Sequence, residues 1–277
     1  MKKIVDINYL QEPDLEDYLA MSKDNHVVFT DVLGIEIHKC NALENLSDKL
    51  IIVSQYPDQV FVLKKRRDIK RLTLAPSNLP HSLIDKTIDF GAFCTHTQSA
   101  SKGDELLSKQ VADKQCVASQ YVKEQMKFHQ LVVDGIRGIS KSHNPSHIKA
   151  LKNGNNLPPL FTKRATTDIL CLARLLHEKD PDVQSVSKFR PYKDSYICRF
   201  AVCAYLLLLR WIKDGGIDQV SETRLFNDLM DVHYVAYATY FDGVLSRDKK
   251  LNEIHLGAMY YFSHFDNPNV ASSPRNC

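Results

Sequence analysis

The first part of the chain alternates short apolar runs with segments of helical periodicity. The helical segments cover residues 13–21 and a stretch that runs from Thr30 or Asp31, either of which can cap a helix, to about Leu46. Apolar runs short enough to be single strands lie before and after these segments. Strands that alternate with helices predict an α/β fold with a parallel sheet. The apolar runs occupy residues 2–5, 26–29, 51–53 and 60–63.

The middle of the chain, residues 76–220, contains long segments of helical periodicity separated by polar breaks. Residues 140–159 are rich in Ser, Asn, Gly and Pro, which predicts a loop or hinge. Residues 192–213 are apolar on nearly every side of the predicted helix, and such a helix is normally buried. We therefore expect a mainly helical insertion here. Its other helices are predicted at residues 83–93, 104–133 and 162–177.

The α/β pattern returns in residues 221–262. An amphipathic helix with Asp228 and Asp231 near its start precedes an apolar strand at residues 243–246, and this strand runs directly into Arg247 and Asp248. The sequence therefore predicts one core built from two separate segments, with a helical insertion between them and a loose Ser-, Asn- and Pro-rich tail at the end. The core comprises residues 1–75 and 221–262, the insertion residues 76–220, and the tail residues 263–277.

Four acidic residues are placed where they could converge. Asp6 and Asp248 each follow an apolar strand, and Glu36 and Asp231 lie on predicted helices. In an α/β protein, acids at the carboxyl ends of parallel strands meet at one edge of the sheet. Clustered carboxylates repel one another unless a cation neutralises them, and Mg²⁺ and Mn²⁺ prefer oxygen ligands. The ordered set therefore predicts a metal site.

This layout resembles a PIN domain, a metal-dependent nuclease fold found in many toxin nucleases and in some RNA-processing factors. Four pieces of sequence carry the resemblance, and they lie in the two terminal parts of the chain rather than in the helical middle. Each piece is weak alone, and the ordered set is more specific. The pieces are IVDINYL, FTDVLGIEIHK, NDLMDVHYVAYA and FDGVLSRDKKL.

The resemblance implies a PIN-like central parallel sheet flanked by helices, and hydrolysis of phosphodiester bonds that leaves 5′-phosphate and 3′-hydroxyl ends. Asp6, Glu36, Asp231 and Asp248 match the first to the fourth acid of the family in that order, and they are the expected catalytic and metal-binding residues. The family often has Thr or Ser two residues before its last acid, and this chain has Ser246 there. The implied cofactor is Mg²⁺ or Mn²⁺.

Three further acids near the four have a structural interpretation as well as a functional one. Asp31 lies close to Glu36 and could substitute for it. Asp228 could cap its own helix, and Asp242 precedes Gly243, a pair common in turns. We expect Asp31, Asp228, Asp242 and Ser246 either to contact and orient the metal ligands or to have a purely structural role.

The densest basic run of the chain follows the last of the early apolar runs. A basic run can follow a phosphate backbone and produce salt-sensitive binding of nucleic acid, or it can be one solvated face of a helix. Because the net charge is only +3, any affinity for nucleic acid has to come from such a local patch. The run comprises Lys64, Lys65, Arg66, Arg67, Lys70 and Arg71.

Cysteine usage and hydropathy favour a cytoplasmic protein. The seven cysteines form no CxxC pair, which fits reduced thiols better than a disulfide framework. The start of the chain is charged and enters a strand at once, so we expect no signal peptide. The most apolar run, residues 201–209, is flanked by arginines and is too short to span a membrane.

The leading hypothesis is therefore a metal-dependent nuclease, more specifically an endoribonuclease, of the kind that acts in toxin–antitoxin or antiviral defence systems. Its expected partners are an RNA substrate and an inhibitory or defence-complex protein, and a homodimer is a further hypothesis. One alternative is a non-catalytic PIN-like scaffold that binds protein or RNA. Another is a DNA-directed flap-type nuclease.

Overall fold

The computed structural model describes residues 1–38, 48–74, 80–143, 145–153, 159–184, 188–190 and 192–264. Contacts within the chain define two compact units. The sheet unit comprises Met1–Ile69, Ser77–Gln125 and Tyr240–Lys249, and the helical unit comprises Lys70–Pro76, Met126–Thr239 and Lys250–Cys277. The predicted insertion is thus shared between the two units, since Ser77–Gln125 packs with the sheet.

The sheet unit contains four parallel strands in the order β3-β2-β1-β4. Ile4 in the first strand lies opposite Val28 on one side and Val244 on the other, and Ile4 and Val28 are fully buried. The predicted α/β class with a parallel sheet flanked by helices is confirmed. The strands are β1 (Lys2–Val5), β2 (His26–Phe29), β3 (Val60–Val62) and β4 (Val244–Leu245).

Helices make up most of the remaining described structure. One begins as the sequence predicts, with Pro13 in its first turn. At the start of another, the Ser221 hydroxyl accepts the backbone N–H of Arg224. In chain order they are α1 (Pro13–Met21), α2 (Asp31–His38), α3 (Arg66–Leu72), α4 (Phe90–Ser101), α5 (Glu105–Ser142), α6 (Pro145–Lys152), α7 (Pro159–Lys179), α8 (Tyr196–Lys213), α9 (Glu222–Ala238) and α10 (Lys249–His264).

The helical unit is built around α8, which packs against α7 and α9. Its four aromatic side chains are at most 1% exposed, which confirms that this helix is buried on nearly every side. These side chains are Tyr196, Phe200, Tyr205 and Trp211. In the part of the chain that is described, no helix has the length and apolarity needed to cross a membrane.

Two predictions for the middle of the chain are wrong. Residues 83–93 are not one helix, because Ile84 forms an antiparallel bridge with Leu63 and the helix α4 starts only after Asp89, whose carboxylate caps it by accepting the N–H of Ala92. The predicted loop at 140–159 contains the end of α5 and the whole of α6, which carries Pro145 in its first turn, where a helix tolerates proline.

Three smaller predictions have mixed outcomes. The run at 51–53 does not form a strand, since Val53–Gln55 is a 3-10 turn. Cys94, Cys116, Cys198 and Cys203 are free thiols as expected, whereas Cys171 is disulfide-bonded. The helix predicted to reach Leu46 is present through His38, and residues 39–47 and 265–277 lie outside the described residues.

Candidate carboxylate site

The strand order places one sheet edge in the position where α/β proteins bind ligands. From β1 the chain passes to β2 and β3 on one side, and β4 lies on the other side of β1. Ligands of such sheets bind outside the carboxyl ends of the strands at the point where the order reverses. Asp6 directly follows β1, and Ser246 and Asp248 follow β4. The two acids that the sequence places after strands therefore lie at this point.

Ser246 connects the two acids. Its hydroxyl donates a hydrogen bond of 2.8 Å to Oδ2 of Asp6, and its Oγ accepts the backbone N–H of Asp248 at 3.0 Å. The backbone N–H of Asp6 donates to the carbonyl of Leu245 at 3.0 Å, which fixes the ends of β1 and β4 side by side. These hydrogen bonds thus fix the Asp6 carboxylate relative to the backbone of Asp248.

The Asp6 carboxylate lies in surroundings that disfavour its negative charge. Burial, at 5% exposure, raises its pKa, and the charge of Asp248 raises it further. Hydrogen bonds from Ser246 and from the backbone at Asn8 and Ile7 lower the pKa but do not cancel the effect of burial. A buried acid beside a second acid favours a proton or a bound cation, so Asp6 and Asp248 fit an oxygen-ligated metal.

The two acids of α2 differ in their surroundings. Oδ2 of Asp31 lies 3.1 Å from the Arg66 guanidinium and accepts a hydrogen bond of 2.8 Å from the Tyr121 hydroxyl. Arg66 is itself buried. These contacts assign Asp31 to an internal ion pair and disfavour its use in place of Glu36. Glu36 is half-buried on the same helix, within the sheet unit.

Asp228 and Asp231 belong to the helical unit, where they share a cation. Nζ of Lys250 lies 2.7 Å from Oδ1 of Asp228 and 2.6 Å from Oδ2 of Asp231. The indole N–H of Trp211 donates to Oδ2 of Asp228 at 2.9 Å. Asp228 does not cap its helix, because Ser221 does. Burial lowers the pKa of Lys250, but Asp231 and Asp228 outweigh it, so that this pKa is raised and the ammonium is charged.

Asp242 lies at the other end of β1 from Asp6. Its carboxylate accepts the backbone N–H of Lys2 at 2.6 Å, and its own N–H donates to the carbonyl of Lys2 at 2.8 Å. Gly243 follows with a φ of 126°, a conformation that favours glycine. Asp242 therefore aligns the chain before β4 and does not line the carboxyl ends of the strands.

The basic run divides into buried and exposed side chains. Arg66 donates to Asp31 and Gln125, and Lys70 lies 2.5 Å from Asp180. Both cations are under 9% exposed, so neither presents its charge at the surface. The other members are at least partly exposed, and they carry what remains of the predicted nucleic-acid surface: Lys64, Lys65, Arg67 and Arg71.

Sequence reasoning missed Lys250 and Trp211, which contact the acids of α9. Lys250 is one of two adjacent lysines after Asp248, and its partners lie 19 and 22 residues earlier. No motif of that spacing marks an ion pair. Trp211 is the one tryptophan of the chain, and its apolar surroundings on α8 indicated only burial.

Among the described residues, no three His, Cys, Asp or Glu side chains are grouped so that they could hold a metal ion. Asp6 and Asp248, connected through Ser246, thus do not form such a group on their own among these residues. Comparison of the chain with protein-family models, curated proteins and solved structures found no match.

Proposed function

We propose that this protein is a PIN-like, Mg²⁺- or Mn²⁺-dependent nuclease that cleaves RNA. One observation carries the proposal: Asp6 and Asp248, connected by Ser246, follow the two adjacent parallel strands at which the strand order reverses. This is where an α/β fold exposes a ligand site, and the side chains there are the oxygen ligands that these metals prefer.

In this proposal Asp6 and Asp248 hold the metal, and Ser246 fixes the orientation of the Asp6 carboxylate. The bound metal would activate water and stabilise the charge that develops on the phosphate. The resemblance to PIN domains implies Glu36, in the sheet unit, as a further ligand; Asp231, which it also implies, belongs to the helical unit. The exposed cations Lys65, Arg67 and Arg71 and the partly exposed Lys64 would contact the RNA backbone. Of the six basic residues predicted, Arg66 and Lys70 are excluded because they are buried in ion pairs.

The resemblance to toxin nucleases also suggests a role for the protein in the cell. The protein would act as an effector in a toxin–antitoxin or antiviral defence system, in the cytoplasm, with an inhibitory or defence-complex protein as partner. Expression of the wild-type chain should then slow growth, and Asp248→Asn should relieve the effect. Equal toxicity of the two chains would contradict this role.

A non-catalytic scaffold is the second candidate, and one observation favours it. Asp231 and Asp228 already have an internal cation in Lys250, and Asp31 has one in Arg66, so these acids do not need a metal to balance their charge. Thermal unfolding distinguishes the two candidates. A metal-binding nuclease should be stabilised by Mn²⁺ through mass action, whereas a scaffold without a metal site should not.

The test of the nuclease itself uses the purified full chain and a mixture of single-stranded and structured RNA with Mn²⁺. Cleavage that stops with a chelator, returns with added Mn²⁺ and leaves 5′-phosphate ends is the expected result. Cleavage of branched DNA in preference to RNA would indicate a flap-type nuclease instead. No cleavage together with no thermal shift from Mn²⁺ would leave the scaffold as the better account.

A further inference from the structure

A cavity of about 530 Å³ lies beside β3, which is an edge strand of the sheet. Cavities in which proteins bind small molecules have volumes of about 300–1,000 Å³. The residues that line this cavity all belong to the sheet unit. It reaches the amino end of β1 at Lys2, whereas Asp6 follows the carboxyl end of the same strand, so the cavity is separate from the carboxylate site. Its apolar wall is formed by Phe61, Ile84, Ile88 and Phe90.

The Lys2 ammonium lies over an aromatic ring of this cavity. Its Nζ is 4.9 Å from the centroid of the Phe61 ring and 3.3 Å from Nδ1 of His81, which also lines the cavity. An ammonium only donates hydrogen bonds, so Nδ1 of His81 accepts, and the proton of this neutral imidazole is on Nε2. Lys2 and His81 thus keep N–H groups that can donate to a ligand.

The charge of Lys2 is not balanced by the contacts of its side chain. Among the described residues, no carboxylate pairs with Nζ of Lys2, and Asp242 accepts the backbone N–H of Lys2 instead. Lys2 is half-buried, and the partners of its ammonium are a neutral imidazole and an aromatic face. Withdrawal of a charge from water without a counter-charge is unfavourable. A bound anion would provide this counter-charge through a charge-assisted hydrogen bond.

Three acids of the lining limit how negative a ligand can be. The Asp85 carboxylate accepts the backbone N–H and the hydroxyl of Thr87, and these hydrogen bonds lower its pKa. Asp89 caps α4, and Asp58 is exposed. The exposed Lys86 offsets only one of the three charges. Because like charges repel, a ligand with one negative charge is favoured over a ligand with two.

We propose that this cavity binds a small organic monoanion, namely a carboxylate on an aromatic or branched aliphatic body. The carboxylate accepts hydrogen bonds from Lys2 and from the Nε2–H of His81, and the apolar body lies against Phe61 and Phe90. The ligand also covers Ile88, which is 45% exposed. Neither a metal ion nor RNA takes part, so this site is independent of the proposed nuclease.

Three probes that share an aromatic body test the charge preference: phenylacetate, phenyl phosphate and phenethylamine. Their binding to the full chain at pH 7 is measured by ligand-observed NMR. We expect phenylacetate to bind with a Kd of about 1 mM, which suits a ligand of about ten non-hydrogen atoms. Phenyl phosphate, which is close to a dianion at this pH, and the cationic phenethylamine should bind at least about tenfold more weakly. If either bound as tightly as phenylacetate, or if phenylacetate did not bind at about 10 mM, the inference would be overturned.

Lys2→Met removes the charge and keeps an apolar stem over Phe61. It should weaken the binding of phenylacetate at least about tenfold. Lys3→Met is the matched control, because Nζ of Lys3 is 5.2 Å from the Tyr18 ring and adjacent residues of a strand point to opposite faces of the sheet. It should bind phenylacetate like the wild type. Unchanged binding by Lys2→Met, or an equal loss in both variants, would contradict the site.

Thermal unfolding checks that both variants fold, and Ile88→Ala tests the apolar wall independently of Lys2. Since Ile88 is exposed, the shorter side chain should leave the melting temperature unchanged and weaken the binding of phenylacetate about threefold or more. Phenylacetate that binds Ile88→Ala as tightly as the wild type would lie outside this cavity, and the inference would be wrong.

Discussion

At the scale of single residues, Asp6 is a side chain whose surroundings conflict with its negative charge. Burial and the neighbouring Asp248 raise its pKa above the usual carboxyl range. The folded chain therefore holds the Asp6 proton more tightly than the unfolded chain does. The stability that the protonated form contributes is complete at low pH, and it is lost as pH rises from the usual carboxyl range through the raised pKa. Without metal, a negative charge on Asp6 therefore destabilises the fold.

Asp6→Asn should therefore be more stable than the wild type at pH 7 in the presence of chelator, by about 1 kcal/mol. The amide keeps an oxygen that accepts from Ser246 and carries no charge. The advantage should disappear as pH falls below the ordinary carboxyl range. Thermal unfolding at several pH values measures it, with the exposed Asp58→Asn as a control. A wild type more stable than Asp6→Asn at pH 7 would contradict the account of Asp6.

At the scale of elements, the turn before β4 decides where Ser246 lies. Gly243 has a φ of 126°, and its carbonyl accepts the backbone N–H of Ile4 at 2.9 Å. A side chain at this φ is strained, and relief of the strain would shift β4 along β1. The geometry of the carboxylate site thus depends on a glycine that touches neither acid.

Gly243→Ala should lower stability by about 1–2 kcal/mol and reduce cleavage as well. Gly34→Ala is the matched control with the opposite sign. Gly34 lies inside α2, where an added Cβ would meet no atom within 4 Å, so alanine should stabilise the helix by about 0.5–1 kcal/mol. Melting curves of the two variants measure both changes in stability. If both variants were less stable than the wild type, or both more stable, the roles assigned to the two glycines would be wrong.

Local sequence signals predicted most of the elements near the site and some of those elsewhere. The bounds of α1 and β2 follow from Pro13 and from a compact apolar run, and both were predictable. The region around Ile84 was not, because Ile84 forms an antiparallel bridge with Leu63, a residue distant in the sequence, and no local signal indicates this pairing. Asp6 and Asp248 were predictable as acids after strands, whereas the pairing of Lys250 with Asp231 depends on how distant helices pack.

At the scale of the whole molecule, a net charge of +3 gives little general attraction to nucleic acid. Arg66 and Lys70 add no positive charge to the surface. Arg66 is paired internally with Asp31, and Lys70 is paired with Asp180 and Asp182. RNA affinity should therefore be weak and should depend on a few exposed cations. The sequence alone did not show that Arg66 and Lys70 are buried, whereas the other basic residues of the run are at least partly exposed.

Lys65→Gln and Arg67→Gln should each weaken RNA binding and reduce the salt dependence of the affinity by about one unit of slope. Lys70→Gln should instead destabilise the fold by about 3–5 kcal/mol, because it leaves Asp180 buried without its charge partner. Binding at several salt concentrations and thermal unfolding check the two effects. An Arg67→Gln variant that binds RNA with unchanged salt dependence would exclude this surface.

The most direct test of the central claim compares RNA cleavage by Asp248→Asn with cleavage by Asp58→Asn, in Mn²⁺ and on the same substrate. Both are single acid-to-amide changes in the sheet unit, but Asp248 lies beyond the carboxyl end of β4, and Asp58 lies before the amino end of β3. The proposed metal site predicts that Asp248→Asn loses cleavage by at least about 100-fold, while Asp58→Asn cleaves like the wild type. Equal cleavage by the two variants would contradict a nuclease site at Asp6 and Asp248.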